Sequence, residues 1–217
     1  MKIVVIGATG LVGSATVKEL AQRGHQVIAL ARDAEKVQKT PNITAVSADV
    51  NAMDFYKHLQ NADAVISAFN AGWTNPNLAH DYTQGYQRIL EAAKKAQVPY
   101  LLVVGGAGSL YVAPNLQLVD TPDFPKEYYQ AADAVRNLLN DLKPRRDVNW
   151  AFFSPAAMFA VNPVRFERTG KYRLGKDEVL MTQEGIPADI SVSDLACVLA
   201  DDAEQQAYLF ERFTAAE

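Results

Sequence analysis

The sequence predicts an α/β fold built on a doubly wound, mainly parallel sheet, and three observations carry that prediction. Short β-branched runs alternate with helical patterns, the runs are apolar throughout, and the first of them leads directly into a glycine-spaced turn. Continuous apolar runs suit strands covered on both faces, which is the environment of a parallel sheet between helix layers.

In chain order, KIVVI is the first strand and LVGSATVKELAQRG the helix that follows it. QVIAL, ITAVSA and ADAVISA are the next three strands, with a helix expected over DAEKVQK. A long helix from about Leu78 to Ala96 leads into YLLVV, and a second from about Lys126 to Leu142 leads into NWAFF. The final sixty or so residues change character: a hairpin is expected around RTGKYRLG, a short helix begun by Ser193 or Asp194, and a closing strand over YLFERF. The chain thus reads as one domain over 1–217, with 155–217 forming a small C-terminal cap on the substrate side.

Composition narrows the classes. At 217 residues, 49% hydrophobic and 21% charged, the chain can bury one sizeable core. A formal net charge of -4 removes the electrostatic drive toward nucleic acid. The single cysteine, Cys197, lies in the apolar run LACVLA and cannot form an internal disulfide, which fits a reducing cytoplasm. No run reaches bilayer-spanning length, so neither a membrane nor a targeting segment is expected. His25, His58 and His80 are too far apart for a metal set, and no metal is implied. Nothing in the sequence fixes an oligomeric state.

Gly7, Gly10 and Gly13 give GxxGxxG immediately after the first strand and at the start of a helix. There the glycines permit the tight turn, the approach of a pyrophosphate to backbone N–H groups, and close helix–strand packing, with phosphate on the positive end of the helix dipole. This is a Rossmann-type dinucleotide site, and Gly7, Thr9, Gly10, Leu11, Val12 and Gly13 are its phosphate-loop residues. Arg32, at the end of the second strand, suits the 2′-phosphate of NADP(H), so NADP(H) is preferred over NAD(H). Asp33 leaves the alternative of a ribose-binding acid, or of a helix N-cap. Asp49 and Val50 are expected to flank the adenine, and Ala68, Phe69 and Asn70 to line the cofactor from the next strand end.

The stretch GGAGSLYVAPNLQLVDTPDFP at 105–125 is longer than most structureless loops and follows a strand's C-terminal edge, where α/β sheets bind ligands. Trp73, Ser109, Tyr111, Phe153 and Ser154 are the substrate-pocket candidates. Arg165, Arg168, Lys171, Arg173 and Lys176 form a basic cluster that reads either as a phosphate contact or as a solvated face.

The motifs GATGLVG, VVGGAGSLYV at 103–112, FFSPAAMF at 152–159, RTGKYRLG at 168–175, ISVSDLA at 190–196 and RFT at 212–214 resemble the atypical short-chain dehydrogenase/reductase superfamily. Within it, the chain is similar to small bacterial proteins designated NADH-flavin reductases, near the NmrA-like and biliverdin/flavin reductase groups. The resemblance implies a pyridine-nucleotide fold and suggests reductase activity. It also exposes a departure: the superfamily's YxxxK is missing, because Tyr128 and Tyr129 are followed four residues later by Ala132 and Asp133. Without a lysine to lower a phenol's pKa, and with Asp133 acting to raise it, carbonyl reduction loses its usual acid. A flavin or quinone delocalises the incoming charge, so hydride transfer to such an acceptor is the favoured reading, and no catalytic residue is assigned. The alternatives are an NmrA-like NADP(H) sensor without turnover, and an epimerase- or dehydratase-like enzyme on a nucleotide sugar.

Overall fold

A computed structural model describes residues 1–161 and 163–217. Its core is an eight-stranded sheet made of β1 (Lys2–Ile6), β2 (Gln26–Ala31), β3 (Ile43–Ser47), β4 (Ala64–Ser67), β5 (Leu101–Val104), β8 (Trp150–Ser154), β9 (Arg173–Gly175) and β10 (Arg212–Ala216). The order is β3-β2-β1-β4-β5-β8-β10-β9, with every pairing parallel except β9 against β10. The expected doubly wound architecture is therefore the observed one. Apolar runs such as AVIS in β4 and WAFFS in β8 are buried along their whole length, because both faces of the sheet are covered.

One face carries α1 (Leu11–Gln22) and α4 (Val192–Gln205), and the other α2 (Leu78–Lys95) and α3 (Lys126–Leu142). The two long helices stand where the 3.6-residue pattern puts them, each turning one apolar stripe inward. Between β5 and α3 a two-stranded ribbon, β6 (Tyr111–Ala113) with β7 (Leu116–Gln117), turns at Pro114–Asn115, Asn115 taking φ +61°.

Four local expectations are corrected. DAEKVQK forms only a single 3-10 turn at Ala34–Lys36, since Val37 alone offers it a buried anchor. RTGKYRLG is not a hairpin: Arg173–Gly175 is an edge strand on β10, and the preceding residues are held by side chains. The closing strand starts at Arg212 rather than Tyr208, because Phe210 adopts φ +62° and donates its N–H to the Trp150 carbonyl at 2.6 Å, bending the chain before it can pair. The C-terminal helix is long and capped by Ser191, whose hydroxyl accepts from the Asp194 N–H at 3.1 Å. Ser193 instead donates to the Phe166 carbonyl.

Side-chain ties fix the C-terminal segment. Asp194, fully buried, accepts from the N–H groups of Thr169 (2.9 Å) and Gly170 (2.8 Å) and from the Thr169 hydroxyl. Glu19 of α1, also buried, accepts from Arg168 at 2.8 and 2.9 Å and from Arg23 at 2.9 Å. The Arg168 guanidinium, helped by Arg23 and against the cost of burial, brings the Glu19 carboxyl down from 4.5 to about 2. A carboxyl whose folded pKa is depressed contributes its full stability above the unfolded value and loses it on acidification. We therefore expect a loss of about 1–2 kcal/mol as pH falls from 4.5 toward 2, discounted for the half-exposed Arg168, and its absence in Glu19→Gln. Chemical denaturation of both proteins at pH 7 and pH 3 measures it. Equal pH dependence in the two would remove Glu19 from the account.

Candidate functional site

The glycine loop joins β1 to α1 at the C-terminal edge of the sheet. Gly7 sits at φ +79°, and a Cβ there would lie 2.5 Å from the Ala68 carbonyl oxygen. At Gly13 a Cβ would lie 2.1 Å from the Gly7 carbonyl oxygen, so helix and turn are in backbone contact. Gly10 differs. Its φ of -74° is open to any residue, and an added Cβ would meet only the Gly7 oxygen at 3.4 Å. Two of the glycines thus serve the fold, and the third keeps the outer surface of the loop clear.

Gly10 is the N-cap of α1, no side chain caps it, and the first turn holds no acid. Uncapped N–H groups at the positive end of a 12-residue helix, with Thr9, Gly10 and Leu11 exposed and Val12 half-buried, are the donor set that a pyrophosphate takes. A dinucleotide fits this cradle on geometry alone.

Arg32 is exposed just past β2 and has no ion-pair partner among the described residues. The neighbouring Asp33 is engaged elsewhere: it accepts from the Glu35 N–H at 3.3 Å and pairs with Lys36 at 3.2 Å. Asp49 builds an Asx turn, accepting from Asn51 N–H at 2.9 Å, while the Val50 side chain enters the core. Ala68 lies against Gly7. The Phe69 ring packs over α2, where a Cβ on Gly85 would come within 2.4 Å of it, and it meets the Tyr86 ring edge-on at 5.6 Å. Asn70 closes a further Asx turn on Gly72 N–H at 2.7 Å. The phosphate loop, Arg32 and Ala68–Asn70 therefore occupy consecutive strand ends of β1, β2 and β4.

The substrate-pocket candidates separate. Trp73 is 72% exposed and meets Tyr128 edge to face, ring centroids 6.2 Å apart. Tyr111 is half-buried in β6, bonded through its backbone to Asp177 and Val179. Ser109 is buried, and its hydroxyl accepts from Arg212 at 3.2 Å. Phe153 lies in the core beside Phe213, centroids 5.1 Å apart, and Ser154 is fully buried with its hydroxyl unbonded. Of the five, Trp73 is exposed, Tyr111 half-buried, and Ser109, Phe153 and Ser154 buried. A depression of about 720 Å³, open to solvent, lies beside Tyr129, Phe124 and Pro122 and includes none of them.

Asp133 does not act on Tyr129 as a lone charge: Arg136 donates to it at 3.0 Å and reaches Asp120 at 2.7 Å. Most of the basic cluster is likewise paired, Arg165 with Glu217, Arg168 with Glu19, and Lys176 with Glu211. Arg212, buried on β10, donates to the Asp177 carboxylate at 2.8 Å. Sequence reasoning did not foresee that RTG and SDLA meet through Asp194. The S-x-x-D spacing of Ser191 and Asp194 was the available signal, since it resembles a capping box. Among the described residues no group of His, Cys, Asp and Glu side chains could hold a metal, and no helix is long and apolar enough to cross a membrane.

A family model described as NAD(P)H-binding matches residues 7–206. The chain is 39% identical over 216 residues to the uncharacterized protein YwnB of Bacillus subtilis strain 168, covering 99% of this chain and 97% of that one. Among solved structures it is similar to a candidate epimerase from Bacteroides thetaiotaomicron, at 39% identity and TM-score 0.88 over 99% of this chain and 96% of that one. It is also similar to a candidate NADH-flavin reductase from Streptococcus pneumoniae TIGR4, at 34% identity and TM-score 0.85 over 100% and 99%.

Proposed function

The chain belongs to the NAD(P)H-binding family, and on that premise we propose that it is a reductase that passes hydride from NADPH to a flavin or quinone ring. The observation that carries this reading is the pairing of a clear, uncapped glycine cradle with a helix, α3, that has tyrosines but no lysine one turn on. When bound, the dinucleotide supplies the hydride. The backbone N–H groups of Leu11, Val12 and Gly13 hold its phosphates, and Arg32 takes the 2′-phosphate. Asp49 and the backbone at Val50 flank the adenine, and Ala68, Phe69 and Asn70 line the ribose and nicotinamide side. Within 155–217, β9 and β10 extend the sheet and α4 covers its face beside α1, and the segment between β8 and α4 is the part that we place on the substrate side.

For a quinone or flavin the ring spreads the incoming charge and the proton comes from water, so the chain's task is to orient two rings and exclude solvent between them. The likeness to a candidate epimerase does not favour that chemistry here, because epimerisation through a keto intermediate needs the acid–base pair that Ala132 and Asp133 do not provide. Tyr128→Phe and Tyr129→Phe are each expected to retain turnover to within about threefold, whereas loss of a working general acid costs roughly 100- to 10,000-fold. NADPH oxidation with FMN, FAD and menadione is the measurement. A large fall in either variant returns the protein to carbonyl reduction, and NADPH binding without turnover on any acceptor makes it a sensor.

A further inference from the structure

Large aromatic side chains that stay in water forgo burial worth about 2–3 kcal/mol each, so two of them meeting across a site call for a reason. Trp73 is 72% exposed and Tyr128 52%, and their rings touch at an interplanar angle of 84°. They come from different walls of the same sheet edge. Trp73 lies in the connection leaving β4, and Tyr128 is in the first turn of α3, at the end of the connection leaving β5.

The Trp73 side is built rather than loose. Asn70 accepts from Gly72 N–H at 2.7 Å, and Gly72 takes φ +102°. Asn75 donates to the Ala71 carbonyl at 3.3 Å and to Asp81 at 2.8 Å, and its own N–H reaches the Gly72 carbonyl at 3.0 Å. This turn begins at Ala68, the residue in contact with Gly7 of the phosphate loop, so it extends the nucleotide site without a break. Opposite, the Tyr128 N–H bonds the Pro125 carbonyl at 3.1 Å, which anchors the backbone that carries the ring in the first turn of α3.

We infer that Trp73 and Tyr128 form an aromatic clasp that selects planar conjugated rings as acceptors and holds them over the nucleotide site; the inference rests on the reductase reading above. An edge-to-face pair whose members are 72% and 52% exposed offers a stacking surface to a flat, electron-poor ring and little to an aliphatic carbonyl compound. The role belongs to the rings, not to the tyrosine hydroxyl.

Menadione is the probe in two measurements. In steady-state NADPH oxidation, Trp73→Ala and Tyr128→Ala are each expected to raise the menadione KM about five- to tenfold, with NADPH affinity retained, and Tyr128→Phe to restore it. In the second, menadione is added to NADP+-loaded protein and tryptophan emission is read. Of the two tryptophans Trp150 is 1% exposed, so quenching of the solvent-exposed component reports Trp73. Saturable quenching that weakens in Tyr128→Ala supports the clasp even if the wild type does not turn over, in which case only the hydride-transfer reading falls. Unchanged KM in both alanine variants of a protein that does turn over overturns the clasp alone, and absence of both turnover and saturable quenching overturns both. Thermal melts of each variant confirm that the exposed substitutions leave the fold intact.

Discussion

Gly10→Val is expected to lose NADPH binding in a protein that still folds. The backbone at Gly10 is extended, φ -74° and ψ 171°, so valine fits without strain, and its Cβ meets only the Gly7 oxygen at 3.4 Å. The added side chain instead occupies the space in front of the uncapped N-terminus of α1, where a pyrophosphate must approach. Two or more charge-assisted bonds, each worth about 1.5–3 kcal/mol, are then lost, which corresponds to a weakening of about 100-fold or more. Gly13→Ala is the informative contrast. Its Cβ would stand 2.1 Å from the Gly7 carbonyl oxygen, so this variant should fail by unfolding rather than by blocking the ligand. Calorimetric titration with NADPH, alongside a thermal melt, separates the two. Unchanged affinity in a folded Gly10→Val protein would mean that phosphate does not approach through this face of the loop.

What could be read without coordinates follows the range of the interactions. Strands β1, β2, β4, β5 and β8 and helices α2 and α3 were legible because their signals are local: unbroken β-branched runs, or one apolar stripe at helical period. The Gly7–Gly13 turn was legible for the same reason. The region after β8 was not, because long-range partners decide it. The path of RTGKYRLG is set by Asp194, 24 and 25 residues on, and by Glu19, 149 residues back. Ser109 and Arg212, 103 residues apart, meet in a buried bond that no spacing rule shows. Ser109 and Phe153 looked available as pocket walls because strand-end position says where a backbone lies, while side-chain direction depends on the layer packed against it. Trp73 was singled out, but its contact with Tyr128 crosses between two connections and could only be seen in three dimensions.

Arg32→Ala is expected to weaken NADPH binding by about 1.5–3 kcal/mol, one to two decades of affinity, and to leave NADH nearly unaffected. A guanidinium can engage a phosphate through two parallel N–H donors, and the 2′-phosphate is the group by which the two cofactors differ. The surroundings leave the arginine available: it is exposed at the end of β2, beside the strand whose loop carries the phosphate site, and the nearest acid is already committed. Asp33 engages the Glu35 N–H and the Lys36 ammonium rather than Arg32. The same geometry supplies a second arm to the test. Asp33→Asn keeps an N-cap acceptor and should change neither cofactor's affinity by more than about twofold, whereas an acid that bound the ribose would cost NADH binding about tenfold on removal. Raising the salt concentration should erode the NADPH advantage over NADH in the wild type, since an exposed ion pair is screened, and should do so far less in Arg32→Ala. Parallel losses for NADPH and NADH in Arg32→Ala would place the arginine on a part of the nucleotide common to both, and it would then not select between them.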